Sequence, residues 1–392
     1  MKRAWTETSR AAEVRSAARG WADAKAIDAP TLVAIESAYP DSRIALHPVW
    51  RVLVFVAACV AIFALHFGLF QKNLDGLGPA TAAAAALMLA TEWLRGSRAS
   101  GTGVDAATSF LAWMFALIAA FVLFDDEWKL GNDASLNLLF GFSLVLAALF
   151  AVRWGFWAFA AVSAASAFLL AARLPAGRAS WAVLSLVLLA GTDRIRDRAT
   201  IAPPHRRGLG AVFVVSAAAL YGAVNLYALD HFWIEAIRVL FHRPPEPPPL
   251  PPALRLLASL ATAAFPVVFV AWGIRARHTL VLAIAIASAA LSVMTWRHYV
   301  PIGPRWAWLT ACGAALIAAA LWAHRRLRLA PGGAWRGLTA APLYDSRRDA
   351  HLTPLGALGA HLIVPSAAPE PERPGFTGGG GEFGGGGASG QY

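Results

Sequence analysis

Few side chains in this sequence could do chemistry, and most of them lie inside or at the rims of long apolar runs. Arg51, His66, Glu92, Asp230, His231, His298 and Tyr299 stand out by type and placement. Histidine beside a carboxylate can relay protons or hold a metal ion, so His66, Asp230, His231, His298 and Tyr299, which fall at comparable depth, form one candidate group. They come from three runs and include no i, i+4 ligand pair, so interfacial polar residues at span ends are the plainer reading. No metal site, cofactor or catalytic residue is therefore assigned. Glu92 and Arg51 fall at the other end of the first two runs and are placed to pair. Arg95, about one turn beyond Glu92, is the alternative cation. No Walker loop, GxSxG elbow, HExxH or CxxC occurs.

The elements that must position these groups are apolar helices. Residues 52–70 form the first long apolar run, broken only by His66. At 1.5 Å per residue, about nineteen helical residues cover roughly the 30 Å hydrocarbon thickness of a bilayer. Further runs at 77–94, 106–124, 136–152, 155–174, 175–192, 209–229, 256–274, 279–296 and 306–323 bring the expectation to about ten spans. The sixth has the shortest clean core, residues 181–191, which leaves a count of nine open. The chain is 58% hydrophobic and 15% charged, against about 25% charged in soluble domains. The fold expected is all-α: a polytopic transmembrane helix bundle over residues 49–325, preceded by a small helical hairpin (1–48) and followed by a flexible Gly-rich tail (326–392).

The net charge of +11 does not point to nucleic acid, because the basic residues are scattered between apolar runs and not gathered on one soluble face. They read as topology signals. With ten spans and the N-terminus inside, most of the 34 Lys and Arg fall on the inner side, Arg194, Arg196, Arg198, Arg206 and Arg207 among them. Both termini are then cytoplasmic. The first fifty residues lack the apolar core of a cleavable signal, so the first span is expected to serve as the targeting element. Tryptophans 50, 93, 154, 157, 296 and 306 near span ends suit the headgroup region, and small-residue stretches such as 81–86, 160–167 and 283–290 suit close helix packing. Cys59 and Cys312 lie in apolar runs, as small hydrophobes or as a pair.

In the N-terminal segment Val14, Ala17, Ala18 and Trp21 recur at helical spacing, Asp28 stands as an N-cap before Pro30, and Pro40 stops the second helix. Such a hairpin cannot enclose a core and must lean on the membrane domain or on another copy. Trp21, Ile27-Asp28, Ile35 and Tyr39-Pro40 ahead of a first span resemble the N-terminal hairpin of bacterial predicted membrane proteins of domain-of-unknown-function family 2157. The resemblance covers about the first seventy residues and implies no activity.

Two further segments interrupt the bundle pattern. Residues 231–241, HFWIEAIRVLF, suit a short interfacial helix, and the PPEPPPLPP run after it suits a polyproline strut, as a spacer or a partner-docking string. The tail ends FGGGGASGQY, where Phe383 and Tyr392 could anchor a protein partner among flexible glycines. That ending resembles the Gly-rich tails of TPM-domain and related bacterial membrane proteins. The TPM domain itself is absent, so no phosphatase-like activity carries over. The lipid bilayer is the one partner the composition requires. The functional expectation is an uncharacterised integral protein of the bacterial inner membrane, a non-enzymatic scaffold or component of an envelope assembly. The alternatives are a transporter or channel, and an intramembrane enzyme acting on a lipid-linked substrate.

Overall fold

The computed structural model describes residues 4–23, 26–40, 44, 46–69, 76–97, 99–174, 177–196, 201–232, 251–275 and 279–299, with scattered residues between 310 and 339. The described chain is an all-α bundle. Its helices are α1 (Ala4–Asp23), α2 (Ala29–Ala38), α3 (Pro48–Leu69), α4 (Leu77–Gly96), α5 (Val104–Val122), α6 (Asn132–Trp154), α7 (Trp157–Ala172), α8 (Gly177–Arg196), α9 (Pro203–Val224), α10 (Pro252–Arg275) and α11 (Thr279–Tyr299). Ala334–Trp335 and Leu338–Thr339 form a two-residue antiparallel pairing, the sole sheet contact among the described residues.

Neighbours in sequence pair as antiparallel hairpins, α4 with α5, α6 with α7, α8 with α9 and α10 with α11, and α7 packs across α9 to join the two halves. The end holding the α4–α5 turn is called proximal here, and the end holding the α5–α6 turn distal. The helix α5 is central and largely buried, whereas α3, on the outside of α5, is largely exposed. One core gathers Ala112, Ala147, Phe150, Trp154 and Phe159, and another Phe213, Tyr221, Phe265, Phe269 and Val281. Large exposed apolar side chains such as Leu89, Val183, Val267 and Ile286 ring the bundle, as a lipid solvent requires.

Seven described helices are long and apolar enough to cross a membrane, namely α3–α6 and α9–α11, fewer than the ten expected. The difference has identifiable causes. Helix α7 has only 16 residues, and α8 has polar groups at both ends, from Arg178 to Asp193 and Arg194. Most of 306–323 lies outside the described residues. Because α7 and α8 are consecutive, counting or omitting both leaves the direction of α9 unchanged.

Local chemistry fixes the helix ends. In the α4–α5 turn Gly103 adopts φ 107°, and a Cβ there would strike the backbone carbonyl of Arg51, so this position requires glycine. Asp28 caps α2, its carboxylate accepting from the Thr31 N–H at 3.0 Å, while Arg19 Nε donates to Glu36 Oε1 at 2.7 Å to tie α1 to α2. The hairpin does not stand alone: α1 touches α9 and α4.

Candidate functional site

Two backbone interruptions, one at the distal end of α9 and one in the middle of α10, are bridged by a closed set of polar side chains. Helix α9 stops at Asn225, whose ψ of 130° breaks the helical path, and the chain resumes through a π turn, Ala228–Phe232. Helix α10 carries Pro266 in its interior. Proline has no N–H, so the carbonyl four residues back, that of Thr262, loses its helical partner. Ser292 of α11 replaces it, with Oγ donating to Thr262 O at 2.8 Å. The break at Asn225 likewise strands the Leu226 N–H, which donates to Thr262 Oγ1 at 2.9 Å. Thr262 thus serves both interruptions, and its side chain is fully buried.

The proton directions follow from the geometry. Ser292 uses its one proton on the Thr262 carbonyl, so the 2.8 Å contact between Tyr221 and Ser292 has the phenol donating. Asn225 Nδ2 donates to Tyr221 OH at 2.8 Å and to Thr295 Oγ1 at 3.0 Å, and its Oδ1 accepts from the Ala228 N–H at 3.0 Å. The result is a directed chain, Asn225 to Tyr221 to Ser292 to the Thr262 carbonyl, in which each amide and hydroxyl proton is used. It contains no carboxylate, imidazole or ammonium group. From the other side, Arg178 Nε of α8 donates to the Ala223 carbonyl at 2.9 Å, placing a cation on the C-terminal end of α9 where the helix dipole favours one.

Immediately distal lies a charged layer. Asp230 accepts from Tyr299 OH at 2.6 Å and from Arg255 Nη2 at 3.1 Å. The His298 ring stands edge-on to Tyr227 at 5.1 Å between centroids. Asp230 and Tyr299 therefore do meet, with His298 close by. His231 belongs to the π turn, but its side chain is outside the described residues. His66 packs elsewhere, buried against the Phe115 ring at 4.4 Å on the α3–α5 side. No group of three or more potential metal ligands occurs among the described residues.

The proximal end holds the second polar assembly, and here the expected pairing needs correction. Glu92 takes its cation from Arg153 at the end of α6, through Nε to Oε2 at 3.1 Å and through Nη2 to Oε1, and Trp154 Nε1 donates to the same carboxylate at 2.8 Å. Arg51 turns back on its own segment and donates to the Leu46 carbonyl at 2.9 Å. Arg95 contacts Asp105 at 3.5 Å, donates to the Trp154 carbonyl and lies 3.9 Å over the Phe156 ring. Asp105 is 1% exposed, and its other contact is the Gly101 N–H at 3.1 Å. The physical reason for the exchange of partners is packing: α5 packs on both α4 and α6, which lets the Arg153-Trp154 corner at the end of α6 reach Glu92, whereas α3 lies outside α5.

Asp105, Arg153, Arg255, Thr262, Ser292 and Thr295 were not singled out from the sequence. One signal was present for Thr262, a hydrogen-bonding residue four positions before an intrahelical proline. Phe383 and Tyr392 lie outside the described residues, as do residues 233–250, which hold most of the aromatic stretch and the proline run. No protein-family model matches the chain, and no curated protein or solved structure matches it.

Proposed function

We propose that this chain is a non-enzymatic scaffold of the bacterial inner membrane, with both termini cytoplasmic, that holds its place in an envelope assembly. The observation carrying this reading is that the carboxylates within the bundle and the polar set around Asn225 are consumed by neighbouring groups. Glu92, Asp105 and Asp230 contact Arg153, Arg95 and Arg255 respectively, and Asn225, Tyr221, Ser292 and Thr262 engage one another. The buried hydroxyls left without a partner among the described residues, Ser185 and Ser216, are neutral. A catalyst or carrier needs such groups turned toward a substrate. The basic α8–α9 connection supports the proximal end as cytoplasmic. In a cysteine-free background, Arg194→Cys should be labelled from the cytoplasm and Glu127→Cys from outside; labelling of both from one side would overturn the orientation. Cross-linking in native membranes, followed by native electrophoresis, should give one discrete species larger than the chain; a monomer alone would remove the assembly. The tail aromatics Phe383 and Tyr392 are the proposed anchor, so deleting residues 383–392 should dissolve that species at unchanged protein level.

A transporter is the second reading, and the paired interruptions at Asn225 and Pro266 favour it, because broken helices at membrane depth commonly line substrate sites. Flux assays on proteoliposomes separate the two. The scaffold reading expects equal solute permeability for wild type and Asn225→Ala; a flux present in wild type and lost in Asn225→Ala would establish the transporter.

A further inference from the structure

We propose that the lateral cleft between α6, α7 and α8 is a phospholipid site, taking one acyl chain along its walls and an anionic headgroup at Arg173. The cleft encloses about 860 Å³ and is bounded by Leu144 of α6, Ala167 and Leu170 of α7, and Val183 and Val187 of α8. Val183 and Val187 are more than half exposed, so it opens sideways. In a membrane-spanning bundle, sideways is toward lipid tails. Its polar lining residues, Asn137, Arg173 and Ser180, gather toward the distal end. The wall along α8 from Ala179 to Val187 rises about 12 Å, close to the hydrocarbon depth of a single leaflet. A chain entering from the distal leaflet therefore fits the cleft along its length, with its headgroup left among the polar residues.

Helix length argues for an anion at that position. The 16 residues of α7 span only about 24 Å, short of the roughly 30 Å hydrocarbon layer. Trp157, exposed at the first residue of α7, marks its proximal end in the aromatic belt. The deficit therefore appears distally, where Arg173 follows the last helical residue. Its side chain is 11% exposed, while that of its carboxylate partner Asp133 is 69% exposed. A cation set below headgroup level draws a phosphate toward it and thins the bilayer locally. Asp133 accepts from Nη2 through both its carboxylate and its carbonyl, which moderates this attraction.

The test is native mass spectrometry of the full chain in detergent, titrated with phosphatidylglycerol or phosphatidylcholine. Wild type should retain a single phospholipid after the remaining lipid is stripped. Val183→Trp and Ala167→Phe, which fill the cleft from opposite walls, should lose it, and Leu186→Trp, on an exposed face of α8 outside the cleft, should keep it. Arg173→Gln should reduce the preference for phosphatidylglycerol about fivefold. Circular dichroism on each variant identifies any that fails to fold, and Ala179→Leu, a milder filling, then stands in for it. Retention by the cleft-filling variants, equal loss from Leu186→Trp, or no retention by wild type would overturn the site. An unchanged preference in Arg173→Gln would overturn the headgroup assignment.

Discussion

The α4–α7 half and the α8–α11 half are both pairs of antiparallel hairpins, and in both the second helix ends distally in a five-residue π turn, Leu123–Glu127 after α5 and Ala228–Phe232 after α9. They are held by different chemistry. The first half is fastened at its proximal end by ions: Arg153 on Glu92, and Arg95 on the buried Asp105. Deeper in that half, hydroxyl pairs suffice, with Thr91 against Thr108 at 2.9 Å and Ser143 against Ser166 at 3.0 Å. The second half keeps one ion pair at its distal rim, Arg255 on Asp230, but its buried polar fastening is built from neutral groups around two backbone interruptions. A continuous helix leaves no unpaired amide in its middle and can confine its polar contacts to the ends. A broken helix exposes amides at depth, and hydroxyl or amide side chains must meet them there.

The comparison can be broken by mutation, and the largest effect should come from the buried ion pair. Asp105→Asn leaves Arg95 without its carboxylate and should destabilise the protein by about 3–5 kcal/mol in reversible unfolding. Replacing both Arg95 and Asp105 by leucine should recover most of that loss. A double variant as unstable as Asp105→Asn would show that the pair is more than an electrostatic match.

In the second half, Thr262→Val strands the Leu226 N–H and should cost about 1–3 kcal/mol. Pro266→Ala sharpens the argument, because it returns an N–H to the Thr262 carbonyl. Ser292→Ala should then cost less in the Pro266→Ala background than in wild type, by up to about 1 kcal/mol in a double-mutant cycle. Additive losses would separate Ser292 from the proline.

Glu92→Gln should cost less than about 1 kcal/mol despite its two-point contact, because Glu92 and Arg153 are about half exposed and screened. The smallest effect concerns the N-terminal hairpin. Hydrogen bonds from Thr31, side chain first and then backbone, hold the Asp28 carboxyl below the usual aspartate range. A lowered carboxyl favours the folded hairpin above the unfolded value of about 4 and loses that contribution as pH falls through the folded one. Protection factors in α2, the exchange rates corrected for the intrinsic slowing in acid, should fall on acidification, and Asp28→Ala should remove that pH dependence.

The all-α bundle was legible in the sequence because a lipid solvent demands long apolar helices, and composition and run length report them directly. The partners were not. Glu92 advertised a need for a cation, but Arg51, Arg95 and Arg153 all lie near the proximal face, and only the packing of α6 beside α5 decides among them. Tyr221 and Asn225 were recognisable as hydrogen-bonding residues on one face. Thr262, Ser292 and Thr295 looked like ordinary small helix residues, since their role depends on which carbonyl Pro266 releases and which amide the break at Asn225 strands. His66 shared a depth with Asp230 and His298, but depth carries no information about position around the bundle, and its ring packs on α5.

The central claim is that each half has its own fastening, and peptide-resolved hydrogen exchange tests it most directly. Asp105→Asn should speed exchange in α4–α7 and leave α9–α11 near wild type, while Thr262→Val should do the reverse. Equal acceleration of both halves by either variant would contradict the account.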